Sequence, residues 1–170
     1  MELNQPAPDF VLPDLSGQLH RLSDHHGRIV IVNFWSAECP WAERADRELL
    51  SCLSEWGDRV ALLTFAANGN EPDELVAAAA RARSLPLVLR GNLDVTDAYE
   101  AQTTPHLFVV DADGRLRYRG AMDDVTFRNR TATRYYLKEA VEALLARRLP
   151  DPAETPSYGC AIVRHLPESC

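Results

Sequence analysis

The period of the apolar positions changes several times along the chain, and each change predicts an element. Asp9 to Leu12 and Gln18 to Leu22 predict two short strands around the turn Pro13-Asp14-Leu15-Ser16-Gly17. Arg28 to Trp35 is a continuous apolar run containing Ile29-Val30-Ile31-Val32, the pattern of a strand buried on both faces. From Pro40 the spacing shifts to threes and fours. Trp41, Ala45, Leu49, Cys52, Leu53 and Trp56 form one stripe on a helix that Gly57 ends. Arg59 to Ala66 predicts a second buried strand, followed by the loop Asn68-Gly69-Asn70. Pro72 opens a helix running to about Arg83, and Leu85 to Leu89 and Val95 to Ala101 predict a short strand and a short helix. Thr104 to Val110 and Arg115 to Gly120 predict a hairpin about the turn Asp111-Ala112-Asp113-Gly114. A last helix is expected over Ala132 to Arg148, stopped by Pro150.

Strands alternating with helices predict an α/β fold, a mixed central sheet with helices on both faces and an N-terminal hairpin. Residues 1–150 are expected to form one domain. Beyond it Pro152, Pro156 and Pro167 interrupt a stretch without periodicity, so residues 151–170 are expected to be an extended C-terminal arm.

Composition narrows the function classes. The 170 residues are 46% hydrophobic and 25% charged, as in a globular chain able to build its own core. Eighteen basic against 25 acidic residues give a net charge of -7, which repels phosphate backbones, so no nucleic-acid partner is expected. No apolar run approaches the ~20 residues that cross a bilayer, so no membrane partner is expected. The N-terminal stretch has no basic segment followed by an apolar core, and a cytoplasmic location is expected. There Cys39, Cys52, Cys160 and Cys170 would be mainly reduced, and any disulfide would be functional. No C-x-x-C pair occurs, so a four-cysteine zinc knuckle is excluded, and no metal or other cofactor is expected.

The chemistry concentrates in Phe34-Trp35-Ser36-Ala37-Glu38-Cys39-Pro40-Trp41. A cysteine between a buried strand and a helix start sits at the carboxyl edge of the sheet, where open α/β folds bind ligands. Helix-start N–H groups favour its thiolate, while Glu38 opposes this if it turns inward. Cys52 lies about 20 Å further along the helix, too far for a disulfide with Cys39, and is expected in the core. Cys160 and Cys170 lie on the arm. From Pro150, ten residues can span about 33 Å, so Cys160 is expected to reach Cys39, with Cys170 as the substitute.

Taken together, Phe34-Trp35-x-x-x-Cys39-Pro40, Asp9-Phe10-x-Leu12-x-Asp14-x-x-Gly17 and Thr104-Pro105-x-x-Phe108-Val109 resemble the thioredoxin-like superfamily. They are most similar to its redoxin branch of alkyl hydroperoxide reductase and thiol-specific antioxidant proteins. Ser157-Tyr158-Gly159-Cys160 resembles the Gly-Cys ending of a peroxiredoxin-like subgroup. The resemblance implies a thioredoxin-like three-layer fold and a cis bond before Pro105 that faces Cys39. It departs at the motif itself. Ala42 stands where a second cysteine would follow, and Ser36 where one would precede. Peroxiredoxins carry Ser or Thr at the place of Ser36, but Val32 replaces the proline expected four residues earlier.

The resemblance implies a thiol-dependent oxidoreductase that reduces peroxides through Cys39, with Cys160 resolving the sulfenic acid and Ser36 orienting the substrate oxygen. Thr104, Pro105, Pro40 and Trp41 would bind substrate. The implied partners are a small peroxide or a protein disulfide and an external thiol reductant such as a thioredoxin. Two alternatives stand beside it: a one-cysteine thiol-disulfide reductase or isomerase, and a non-catalytic redoxin that binds or senses. His106 adjoins Pro105, but a strand residue there is expected to point away from Cys39. His25 and His26 diverge as neighbours. Arg128 and Arg130 precede the last helix and match no motif.

Overall fold

A computed structural model describes residues 1–164. Its central sheet has five strands, in spatial order β5 (Val88–Arg90), β4 (Val60–Ala66), β3 (Ile29–Trp35), β7 (His106–Val110) and β8 (Leu116–Gly120). β3 runs parallel to β4 and antiparallel to β7, and β8 closes the edge as the antiparallel partner of β7, so the sheet is mixed. The strands β1 (Val11–Pro13) and β2 (Leu19–Arg21) form the separate N-terminal hairpin. Two two-residue strands, β6 (Thr103–Thr104) and β9 (Cys160–Ala161), pair with each other.

Every residue of β3 and β4 is buried, including Asn33 and Thr64, which interrupt their otherwise apolar runs. The period of two divides β3 between the sheet's faces. Val30, Val32 and Phe34 join Phe10, Leu12, Phe65, Tyr99 and Phe108 on one face, beneath the N-terminal hairpin and the end of α3 (Leu93–Ala98). Ile29 and Ile31 meet Leu49, Cys52 and Trp56 of α1 (Pro40–Trp56) and Leu137, Ala140 and Val141 of α4 (Tyr136–Leu145) on the other. α2 (Asp73–Ala82) packs Val76 and Ala80 beside Trp35 and Ala42. The result is the thioredoxin-like three-layer α/β fold.

The strand expected over Leu85 to Leu89 is Val88–Arg90, the helix expected over Val95 to Ala101 is Leu93–Ala98, and other departures have a visible cause. Pro105, which lacks an N–H, splits the run expected over Thr104 to Val110 into β6 and β7. The last helix starts later than expected, because the Thr133 and Arg134 N–H groups donate to the Asp124 carboxylate at 2.8 and 3.2 Å. It also stops at Leu145, short of Arg147, which takes φ 58°. The C-terminal arm, as far as Arg164, is fastened to the body. Arg119 Nε donates to Glu154 at 2.8 Å, Thr155 Oγ1 accepts from Ala121 N at 3.0 Å, and Tyr158 Oη accepts from Phe127 N at 2.7 Å. Cys170 lies outside the described residues.

Candidate redox site

Cys39 is the N-cap of α1 and Pro40 its first residue, so the helix begins directly beneath the sulfur. Cys39 is 3% exposed, while Glu38 points outward. The loop from Ser36 to Cys39 is held by two buried carboxylates. Glu71 accepts from the Ser36 hydroxyl, from Ala37 N at 2.8 Å and from Asn68 Nδ2 at 3.0 Å. Asp46, on α1, accepts from Trp35 Nε1 at 2.9 Å and from Arg83 at 3.2 Å. Arg83 also donates to Ala37 O at 2.5 Å and stacks over Trp35, so Asp46 reaches the loop through it. Burial outweighs these donors and pushes the Asp46 carboxyl up to about 6.

The Thr104-Pro105 peptide bond is cis, and Thr104 O lies 2.9 Å from Cys39 Sγ. Cys39 and Cys160 form a disulfide across 121 residues of sequence, with Cα atoms 6.2 Å apart, inside the usual range. β9 places Cys160 there by pairing antiparallel with β6, Thr104 opposite Cys160 and Thr103 opposite Ala161. Gly159 makes this approach possible, since a Cβ there would lie 2.2 Å from Thr104 O. Beyond the cysteine, Ile162 N donates to Gln102 O at 3.2 Å and Gly69 N to Val163 O at 2.9 Å.

Cys39, Cys160, Thr104 and Pro105 therefore share one edge of the fold. Trp41 joins them through an edge-on contact with Tyr158, ring centroids 4.9 Å apart, while Pro40 is exposed. Ser36 is close in sequence, but its hydroxyl is engaged by Glu71 and by Glu38 N, and nothing shows it turned toward a substrate oxygen. Cys52 is buried among Leu49 and Trp56. His106 accepts from Gln102 N at 3.2 Å and packs against Phe108, and burial holds its imidazole down to about 4. Arg128 and Arg130 are exposed, with Arg130 lying over Phe127. Among the described residues no three His, Cys, Asp or Glu groups could hold a metal ion, and no helix is long and apolar enough to cross a membrane. A cavity of about 760 Å³ opens between Ile29, Asp58, Asp111 and Leu149 at the opposite end of β3.

Sequence reasoning missed Glu71, Asn68, Asp46 and Arg83. Asp46 left a trace, as a carboxylate among the apolar positions of α1. The others read as ordinary loop and helix-end residues, because their partners are distant in sequence.

Comparison with known proteins places this geometry among relatives. The AhpC/TSA family model matches residues 3–119. The thiol-disulfide oxidoreductase ResA of Geobacillus kaustophilus is 35% identical over 116 residues, covering 65% of this chain and 64% of that protein. The match thus spans slightly less than two thirds of that relative's length. A hypothetical protein from Sinorhizobium meliloti 1021 superimposes with a TM-score of 0.85 at 30% identity, covering 95% of this chain and 94% of that one. The thioredoxin domain of a thiol-disulfide oxidoreductase from Bacteroides vulgatus gives a TM-score of 0.64 at 21% identity, covering 76% of this chain and 93% of that one, a likeness of fold.

Proposed function

Since the chain belongs to the AhpC/TSA family, we propose that it is a thiol-disulfide oxidoreductase whose working pair is Cys39 and Cys160. The observation that carries this reading is the disulfide joining the start of α1 to the arm. The Cys39 thiolate attacks one sulfur of a substrate disulfide, forming a mixed disulfide and releasing one substrate thiolate. The Cys160 thiolate then attacks Cys39 Sγ, closing the internal disulfide and releasing the second substrate thiol. Two electrons and two protons pass from the protein dithiol to the substrate. An external thiol reductant, a thioredoxin by the resemblance, returns them in a reducing compartment. The Cys160 step supplies what Ala42, in place of a neighbouring cysteine, cannot.

A second reading, peroxide reduction, uses the same pair and is favoured by the AhpC/TSA match. Cys39 would take an oxygen from the peroxide as sulfenic acid, and Cys160 would condense with it, releasing water. The two readings part in one experiment. The fully reduced chain is mixed with one equivalent of either hydrogen peroxide or a protein disulfide such as insulin, and closure of the pair is followed by mass spectrometry. Thiol-disulfide exchange predicts closure at least tenfold faster with the protein disulfide. Faster closure with peroxide selects the peroxidase reading.

A further inference from the structure

Between β4 and α2 a short polar segment touches both cysteine-bearing parts of the molecule. Asn68 is 7% exposed and Glu71 2%. Glu71 grips the Cys39 loop through Ser36 and Ala37 N, and it receives Asn68 Nδ2 on the same carboxylate. The other end of the Asn68 amide faces the arm, where Oδ1 accepts from Val163 N at 2.8 Å. A reversed amide would set Nδ2 against the Val163 N–H and Oδ1 against the carboxylate, two repulsions, so the network fixes its orientation. One side-chain amide therefore links the residue two before Cys39 to the residue three after Cys160.

We propose that Asn68, oriented by Glu71, is a positioning residue that latches the arm to the Cys39 loop and sets how readily the Cys39–Cys160 disulfide forms. The proposal rests on the reading of these cysteines as the redox pair. None of the latch hydrogen bonds uses a sulfur atom, so the same bonds are available in the dithiol. With the arm docked, Cys160 stays beside Cys39 at a high effective concentration, and closure is intramolecular. With glutathione disulfide as oxidant, closure of the pair yields two glutathione thiols. The equilibrium constant of that exchange measures the effective concentration directly.

The test equilibrates the full chain in glutathione buffers of graded poise and measures the fraction closed by alkylation and mass spectrometry. Asn68→Ala is expected to lower the equilibrium constant at least tenfold, equivalent to about 30 mV. Val163→Pro removes the same donor from the arm side, away from the core, and is expected to produce a similar fall without changing the melting temperature of the reduced chain. Combined with Glu71→Gln, Asn68→Ala should give less than the sum of the single effects, because both cut one chain of contacts. Wild-type equilibrium constants in both Asn68→Ala and Val163→Pro overturn the latch and leave the redox pair standing. A wild-type chain that never closes Cys39 to Cys160 overturns the pair and the latch with it.

Discussion

The two sulfurs of the disulfide are delivered by regions built on different physics. Cys39 rides on β3, all seven of whose residues are buried, and on a helix that places Leu49, Cys52 and Trp56 in the core. Cys160 rides on a two-residue strand, half-buried, between contacts made one at a time by Tyr158, Ile162 and Val163. The first position inherits the stability of the whole fold. The second depends on a few local hydrogen bonds and can open without unfolding the body. A pair assembled this way has one sulfur fixed by the core and a partner whose approach is separately adjustable.

The largest expected effect falls on chemistry. Cys39→Ser should reduce disulfide turnover to background, a loss of at least about 10³-fold, since it removes the sulfur that caps α1. Cys160→Ser should also stop turnover but leave Cys39 able to attack, so a stable mixed disulfide with substrate should accumulate. Gel electrophoresis without reductant separates the outcomes, and equal trapping by both variants would break the assignment of roles.

Stability should divide along the same line. Leu49→Ala, fully buried against β3, should cost about 2–5 kcal/mol by denaturant unfolding of the reduced chain. Gly159→Ala should cost the reduced chain under about 1 kcal/mol, because the arm can lift away from Thr104 O. The same substitution should lower the glutathione equilibrium constant of the pair at least tenfold. A Gly159→Ala chain as destabilised as Leu49→Ala would mean that the arm belongs to the cooperative core.

A pH comparison sharpens the contrast by probing one group on each side. Asp46 lies beneath the Cys39 loop, and its folded value of about 6 exceeds its ordinary 3.8. Its contribution to stability is therefore present below pH 3.8 and lost as pH rises through about 6. His106 lies beside the arm, in a pocket shared with Arg119, Glu154 and Ser157, with its folded value lowered from 6.5 to about 4. Its contribution is present above pH 6.5 and lost as pH falls through about 4. Relative to Asp46→Asn, the wild type should lose up to about 3 kcal/mol between pH 4 and 6. Relative to His106→Gln, it should gain a similar amount between pH 4 and 6.5. Urea unfolding at half-unit pH steps checks both signs, and slopes of the same sign would contradict the burial assigned to one of them.

The contrast also governs what could be read from sequence. β3, α1 and the place of Cys39 were legible because burial on both faces and a spacing of three to four are local signals. Thr104-Pro105 was legible through its strand and motif. The expectation that Cys160 reaches Cys39 rested on chain length and elimination, and the docking of the arm left no trace, since β9 is two residues long and pairs with a strand more than fifty residues earlier. Thr133 and Arg134 directly precede the apolar stripe of the last helix, so their capture by Asp124, nine and ten residues back across an aperiodic loop, was invisible. Asn68 and Glu71 read as a solvated turn for the same reason. Their burial depends on residues 36–37 and 163 arriving from elsewhere.

The central claim, that Cys39 and Cys160 are the working pair, is tested most directly by mapping the sulfur chemistry of the oxidised chain. The reduced full-length protein, given one equivalent of a disulfide oxidant, is digested without reductant and its cysteine peptides are identified by mass spectrometry. The account predicts one dominant linked peptide joining Cys39 to Cys160, with Cys52 still a thiol. Cys39 bound to Cys170 or to an external thiol, or found as sulfinic acid, with Cys160 free, would contradict it.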